Sequence, residues 1–239
     1  MFCVRRQFSS SIHESTLHLK AHFRSLLRES AQTVAVVTTT TAASPSSTSH
    51  DRHHGATLSS FTSIAMDPYP LISFSLRLPS RMAAYLAEAY SKPLSHPESA
   101  HMVINLLSAT QEDLAVVFSR PDLHPHPFSS SEFYSFSREG IPVLKRSLGA
   151  ISCQLVAPPI PLHDLEFLKH GFGGGTSMAE EGRVVGESDG VTSELFIARV
   201  VDVEMDGITE GVNVSGLEKK PLLYHRRGYT TCYASHTTH

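Results

Sequence analysis

The chain has 239 residues, of which 41% are hydrophobic, and it carries a formal net charge of −3. It contains no apolar run approaching the ~18–20 residues that a membrane-spanning helix needs, and no concentrated basic segment of the kind that binds nucleic acid. These properties favour one folded domain with a sizeable core, without a membrane span or a nucleic-acid partner.

The first twelve residues contain Arg5 and Arg6, several hydroxyl or thiol side chains and no acidic residue. This composition is typical of a mitochondrial transit peptide, and the order Arg6-Gln7-Phe8 before two serines resembles a matrix-processing site. We therefore expect a targeting segment over residues 1–20 and a location in the mitochondrial matrix. The alternative is a basic N-terminus on a cytoplasmic protein.

A helix is predicted from Glu14 to about Gln32, because apolar residues recur there at helical spacing. The pattern then changes to a β-branched run from Val34 to Thr41, which is typical of a strand. Residues 42–54 are polar and predict a loop. A second strand is expected near Gly55, and a third from Leu71 to Arg77, where apolar and polar residues alternate.

The rest of the chain predicts short strands separated by irregular segments. Residues 81–90 predict a short helix, and Thr110 to Asp113 fits a capping pattern at the start of another. Further strands are expected at His101–Leu107, Ala150–Val156 and Leu195–Glu204, and loops at 91–100, 119–140 and 157–190. Few helices and no alternation of strands with helices predict a mainly β fold, a barrel or a sandwich.

Metal chemistry has little support in the sequence. The three cysteines lie far apart and form no zinc-like spacing, which favours a reducing compartment. Many of the fifteen histidines fall in polar or terminal segments, where solvation is expected and the rigid second shell of a metal site is not. We expect no metal at these positions: His50, His53, His54, His124, His126, His236 and His239.

The segment from Gly55 to Ser63 is rich in small hydroxyl residues. Such side chains let the backbone approach a flat ligand, and they offer donors and acceptors to a polar ring edge and a phosphate. A Ser/Thr-rich strand and turn is the alternative, and composition leaves both open. The glycine run Gly173–Gly175 lacks the strand-turn-helix context of a dinucleotide fingerprint and predicts a flexible loop.

Five segments, taken in order, resemble the flavin-reductase-like family. Gly55 to Leu76 resembles its first FMN-binding segment, with the pattern Gly-x-Thr-x-[Ser/Asn]-Ser-x-x-Ser before a proline turn and an apolar strand. The other four resemble its opening helix and strand, its central strand and Gln-x-x-Leu-Ala-x-x-Phe signature, its late strand and its closing motif: Phe23–Thr39, Met102–Phe118, Leu195–Val200 and Pro221–Tyr229.

The resemblance implies an FMN-binding split β-barrel of Greek-key type with a few peripheral helices, over residues 21–232, followed by a tail at 233–239. It implies a homodimer with the flavin near the subunit interface, and an FMN-dependent oxidoreductase that reduces flavin with NAD(P)H. Two alternatives stay open: a non-catalytic or partner-dependent flavin-binding protein, and a split-barrel enzyme that uses another cofactor, such as pyridoxal phosphate or haem.

The resemblance also implies which residues hold the flavin, whereas no catalytic side chain is assigned. The hydroxyl-rich segment would line the ring and phosphate side, the next strand would pass the flavin, Ser80 and Arg81 would reach the phosphate, and a later group would complete the pocket. The full set is Thr57, Leu58, Ser59, Ser60, Ser63, Ser75, Leu76, Arg77, Ser80, Arg81, Asn105, Leu106, Leu107 and Gln111.

One family feature is missing. Many NAD(P)H-using members carry Gly-Asp-His just before the late strand, whereas this chain has Val191-Thr192-Ser193 at or within one residue of that place. A serine cannot stack on a nicotinamide ring as an imidazole can. The nicotinamide side would then depend on His225 or Arg226 of the closing motif, or the electrons would come from another donor.

Overall fold

A computed structural model describes residues 5–41, 52–94, 96–171, 192–205, 216 and 219–233, with side chains from Thr16 onward. This part of the chain contains four helices: α1 (Arg5–Arg28), α2 (Arg81–Ser91), α3 (Glu112–Ser119) and α4 (Leu165–His170). It also contains thirteen strands: β1 (Gln32–Thr33), β2 (Ala35–Thr40), β3 (His53–Leu58), β4 (Thr62–Ala65), β5 (Leu71–Arg77), β6 (Met102–Leu106), β7 (Tyr134–Phe136), β8 (Pro142–Leu144), β9 (Gly149–Leu155), β10 (Ile160–Pro161), β11 (Ser193–Glu204), β12 (Leu223–His225) and β13 (Gly228–Thr230).

One curled antiparallel sheet dominates the fold, with its strands in the order β3-β2-β6-β9-β11-β5-β4 and β10 paired to β11. β3 and β4 lie on opposite edges of this sheet, yet the short segment Ser59–Phe61 connects them. In a flat sheet the two edges would lie about 29 Å apart, whereas this connection spans at most about 14 Å. The sheet therefore has to curl until its edges approach, which is the predicted split barrel.

Apolar residues that alternate with polar ones along β5 fill the barrel interior. Ile72, Phe74 and Leu76 are buried, and the residues between them are half-buried, as the period of two predicts. Phe74 stacks on Phe196 of β11 with ring centroids 5.2 Å apart. The core of the barrel thus sits directly behind the strand that carries Ser75 and Arg77.

A second core lies between α3, β3 and the segment that follows α3, and it includes Phe118 and Phe128. Gly55 of β3 permits this packing, because a Cβ at that position would lie 2.5 Å from Cε1 of Phe118. A side chain there would push α3 away from the strand. Gly55 therefore sets the distance between β3 and α3.

Helix α1 differs from its prediction. It spans Arg5–Arg28, so it ends before the predicted limit at Gln32. Its apolar residues do not join the core: Leu19, Phe23 and Leu26 are 68%, 58% and 69% exposed. No helix in the described ranges is long and apolar enough to cross a membrane.

The predicted strands are confirmed, with ends shifted by one or two residues. The capping prediction at Thr110 is wrong: α3 has Gln111 at its N-cap without a side-chain bond, because Thr110 pairs with Ser108 instead (Oγ–Oγ1 3.0 Å). Part of the predicted 157–190 loop forms β10 and α4. Asp164 caps the N-terminus of α4, and its carboxylate accepts the N–H of Phe167 at 2.8 Å. The loop prediction at 42–54 is wrong at its end, because His53 and His54 belong to β3. Residues 42–51 and the glycine run at 173–175 lie outside the described residues.

Candidate functional site

A cleft of about 460 Å³ opens along the free edge of β3. Helix α2 forms one wall, the end of α3 and the segment after it form the other, and the end of β5 closes it. Its size falls within the range of small-molecule sites, roughly 300–1,000 Å³. Eight of the predicted site residues line it: Thr57, Leu58, Ser59, Ser75, Leu76, Arg77, Ser80 and Arg81.

One end of the cleft is built for an anion. Ser80 is the N-cap of α2, and its Oγ accepts from the N–H of Ala83 at 3.2 Å. The first turn of α2 carries no acidic residue, so the positive end of the helix dipole is not offset there. Arg77 and Arg81 are both exposed in the cleft, and within the described ranges neither forms a salt bridge. The start of α2 and two guanidinium groups thus line the same cleft and suit a phosphate.

The hydroxyl-rich segment divides into cleft residues and structural residues. Ser59 is exposed and lines the cleft. Thr57 also lines it, but its hydroxyl donates to the carbonyl of Ala115 in α3 at 2.7 Å. Ser60 donates to the carbonyl of Ser75 at 3.1 Å and accepts its N–H at 2.9 Å, which ties the β3–β4 connection to β5. Ser63 is exposed on β4, outside the cleft.

The later predicted group is not brought to the cleft. Asn105 is fully buried: its amide nitrogen donates to the carbonyl of Val36 at 3.1 Å, and its oxygen accepts the N–H of Leu144 at 2.8 Å. Gln111 bonds the N–H of Ser108 and the carbonyl of Lys145, both at 3.0 Å. Leu107 lies in the second core, and Leu106 packs against the barrel core. Asn105 and Gln111 stabilise the barrel through bonds to backbone groups, and the two leucines do so through apolar packing.

His225 and Arg226 also lie away from the cleft. His225 ends β12 and Arg226 follows it in the turn to β13. β12 pairs with β1 and β13 in a separate small sheet. Arg226 forms a salt bridge with Glu29, its Nε lying 2.9 Å from Oε2. This hydrogen bond holds the pKa of Glu29 below its usual value. Neither residue lines the cleft that contains Arg81.

Several cleft residues were missed by sequence reasoning. His54 of β3 and Tyr85 of α2 stack in the cleft, with ring centroids 3.8 Å apart and planes at 19°. Phe118 and Pro121 contribute to the facing wall. The spacing of Tyr85 four residues after Arg81 was an available signal, since such residues share a helix face. No sequence signal joined His54 to it.

Other chemistry is not supported by the described residues. Cys153 is fully buried, and burial raises its pKa to about 12, so its thiol stays protonated and is no nucleophile. In the described ranges no three His, Cys, Asp or Glu side chains are grouped to hold a metal ion. The sequence also contains one GxSxG match, at Gly186–Gly190, and it lies outside those ranges.

The model of the flavin reductase like domain matches residues 27–233 of the chain. The chain belongs to this family. It is thus an oxidoreductase of the flavin-reducing class.

Solved flavin reductases share the fold. A flavin reductase domain protein from Arthrobacter sp. FB24 has 17% identity and a TM-score of 0.59, covering 92% of this chain and 99% of that one. The styrene monooxygenase flavin reductase of Pseudomonas putida S12 has 20% identity and a TM-score of 0.55, with coverages of 89% and 99%. An NADH:FAD oxidoreductase of Streptomyces globisporus C-1027, solved with NAD and FAD fragments, has 16% identity and a TM-score of 0.57, with coverages of 91% and 94%.

The cleft of this flavin reductase family member fits a flavin by the chemistry of its donors. Arg77, Arg81 and the N-terminus of α2 suit a phosphate. Ser59 and Ser75 are small, and they leave room for a flat ring beside Leu76. A flavin phosphate and a flavin ring can therefore be accommodated at adjoining parts of one surface.

Proposed function

We propose that this protein binds FMN in the cleft along β3 and reduces it with hydride from NAD(P)H. The observation that carries the proposal is the anion-binding end at Ser80 and Arg81, joined in one cleft to the small, polar surface of Ser59 and Ser75. A mononucleotide flavin needs both surfaces. The flavin supplies the redox chemistry when bound.

The chain's own residues bind and orient the flavin. Arg81 and the α2 N-terminus hold the phosphate, which fixes the ribityl chain along the end of β5. The two-way bond between Ser60 and the backbone of Ser75 keeps β5 against the β3–β4 connection. Leu76 is buried in the barrel core and anchors the strand that underlies the ring. Since the protein's role is positioning, no acid–base pair is required in the cleft.

We also propose a homodimer. The exposed apolar stripe of Leu19, Phe23 and Leu26 on α1 supports it, because exposed apolar surface of this kind marks association sites. Light scattering of the FMN-loaded protein tests it, and a monomer with flavin bound would contradict it.

A mitochondrial matrix location is proposed from the basic, acid-free N-terminus. The predicted boundary at residue 20 falls inside α1. N-terminal sequencing of the protein from its native source tests this: a start between about residues 8 and 21 supports import and cleavage, and a start at Met1 or Phe2 with cytosolic fractionation contradicts it.

Titration of the purified protein with FMN, followed by anaerobic addition of NADH or NADPH, tests the central proposal. Stoichiometric binding and loss of the visible flavin band on reduction are expected. Binding without reduction by either nucleotide would favour a non-catalytic or partner-dependent flavoprotein. A bound pigment with the spectrum of haem or pyridoxal phosphate would favour another split-barrel enzyme.

A further inference from the structure

The pair of His54 and Tyr85 places two nearly parallel, stacked rings in the cleft, and the FMN site proposed above does not use them. Both rings are half-buried, so each keeps part of its surface open. The imidazole is also held from behind: its Nε2 lies 3.4 Å from Oγ1 of Thr41. The pair is thus already fixed before any ligand arrives, which lowers the entropy cost of stacking a ring on it.

The pair lies one helical turn from the anion-binding end. Arg81 and Tyr85 are four residues apart on α2, which brings their Cβ atoms to about 5–6 Å on one face of the helix. In a nucleoside 5′-phosphate, a single ribose separates the base from the phosphate. In FMN, a five-carbon chain separates the ring from the phosphate. The short spacing therefore suits a nucleoside base.

The proposed function places the flavin ring elsewhere in the same cleft, beside Ser59 and Ser75. Ser59 lies five residues along the chain from His54, which in extended backbone is a distance of roughly 16 Å. The phosphate-binding residues Ser80 and Arg81 line the same cleft as His54 and Ser59. A mononucleotide whose phosphate lies at Ser80 and Arg81 has only one ring, so it reaches either His54 or Ser59. A dinucleotide carries a ring on each side of its pyrophosphate and reaches both.

Apolar groups line the same cleft as the aromatic pair. Val117, Pro121 and Pro125 line the wall formed by the end of α3 and the segment after it. A planar base on Tyr85 would exchange water for aromatic and aliphatic surface. Stacking of this kind is tolerant of base identity but requires a flat ring.

We propose that His54 and Tyr85 form the stacking platform for the adenine ring of a dinucleotide whose phosphates lie at Ser80 and Arg81. The proposal rests on the proposed function, since it extends the same cleft. The adenosine 5′-phosphate group belongs either to FAD or to NAD(P)H that reduces bound FMN. In the second case the platform holds NAD(P)H by its adenine end. This contact would matter more here, because the chain lacks the histidine on the nicotinamide side.

The test compares four proteins: wild type, Tyr85→Ala, Tyr85→Phe and Tyr90→Ala. Tyr90 is a matched control, because it lies on α2, is 36% exposed and does not line the cleft. Dissociation constants are measured by calorimetry for 5′-AMP, FMN, FAD, NADH and reduced nicotinamide mononucleotide. Thermal melting confirms that each variant is folded, and His54→Ala serves as the second platform variant.

We expect Tyr85→Ala to weaken 5′-AMP and at least one dinucleotide about tenfold, with FMN and the nicotinamide mononucleotide unchanged. Tyr85→Phe keeps the ring and should retain wild-type affinity, as should Tyr90→Ala. A loss of affinity for FAD but not NADH assigns the platform to the flavin, and a loss of affinity for NADH but not FAD assigns it to the donor. Equal losses for FMN and the dinucleotides, or no loss for any, would overturn the proposal. Binding of 5′-AMP through Tyr85 by a protein that binds no flavin would overturn the proposed function alone.

Discussion

Ser193 on β11 is the register partner of Arg77 on β5, at the end of the cleft. The carbonyl of the preceding Thr192 accepts the N–H of Leu78 at 2.9 Å, which fixes this junction. Thr192 and Ser193, at the place where the resemblance puts part of the Gly-Asp-His motif, therefore lie next to the anion-binding end. In this chain they offer a hydroxyl and no imidazole.

Slow flavin reduction follows from that junction. Without an imidazole to stack on the nicotinamide, the donor ring is poorly held for hydride transfer, and NADH and NADPH should differ little. Anaerobic stopped-flow bleaching of bound flavin measures the rate. Ser193→His should accelerate it, whereas Ser63→His, on β4 outside the cleft, should not. Rapid reduction of the wild-type protein with tight NADH binding would show that the histidine is dispensable.

The phosphate end is tested by removing one guanidinium. Arg81→Ala should weaken FMN by about 1.5–3 kcal/mol, because a charge-assisted hydrogen bond to phosphate is lost. Riboflavin lacks the phosphate, so its affinity should stay unchanged. Arg138→Ala removes an exposed arginine outside the cleft and should affect neither ligand. Equal losses for FMN and riboflavin would place Arg81 away from the phosphate.

Asn105 distinguishes a packing role from a ligand role. Asn105→Ala leaves the N–H of Leu144 and the carbonyl of Val36 without their partner in the core. This should lower the free energy of unfolding by about 1–3 kcal/mol, measured by urea denaturation without ligand. Ser63→Ala, an exposed control, should have no such effect. The FMN affinity of the folded Asn105 variant should match wild type, and a specific loss there would return Asn105 to the binding site.

Some predicted site residues line the cleft and others are buried away from it, and this difference has a physical explanation. Ser80 and Arg81 were assigned by the resemblance, and the helix predicted from residue 81 places them at its start, because a helix start is a local feature. Asn105 could not, since a buried asparagine on a strand can serve a ligand or the neighbouring backbone, and the choice depends on the strands that pair with it. The stack of His54 on Tyr85 depends on β3 meeting α2 across the curled sheet, which no local pattern encodes. Alternation in β5 was predictable because one face of that strand is buried.

The turn between β12 and β13 carries backbone strain. Arg226 and Arg227 both have positive φ, at 49° and 69°, where glycine or asparagine is normally preferred. Arg227→Gly should raise the free energy of unfolding by about 0.5–1 kcal/mol, because relief of the left-handed conformation exceeds the entropy cost of glycine. Arg227→Ala keeps the Cβ and should give no gain. Chemical denaturation measures both, and equal gains would point to charge instead of backbone strain.

The buried His101 makes stability depend on pH. Its Nδ1 accepts the N–H of Leu155 at 2.9 Å, so the ring has to be neutral, and burial lowers its pKa from the usual 6.5. The unfolded chain therefore takes up a proton at this position at a higher pH than the folded protein does. The stability contributed by the neutral ring is complete above pH 6.5 and is lost as the pH falls towards the lowered pKa.

The matched variant is His101→Asn, whose amide oxygen can accept the same N–H without titrating. The free energy of unfolding of wild type relative to this variant should be constant from about pH 8 to 7 and should decline as the pH is lowered towards about 5. Taking the difference removes the contribution of the other histidines. A difference that is independent of pH, or that grows on acidification, would show that His101 does not titrate in the folded protein as its burial and its bond to Leu155 require.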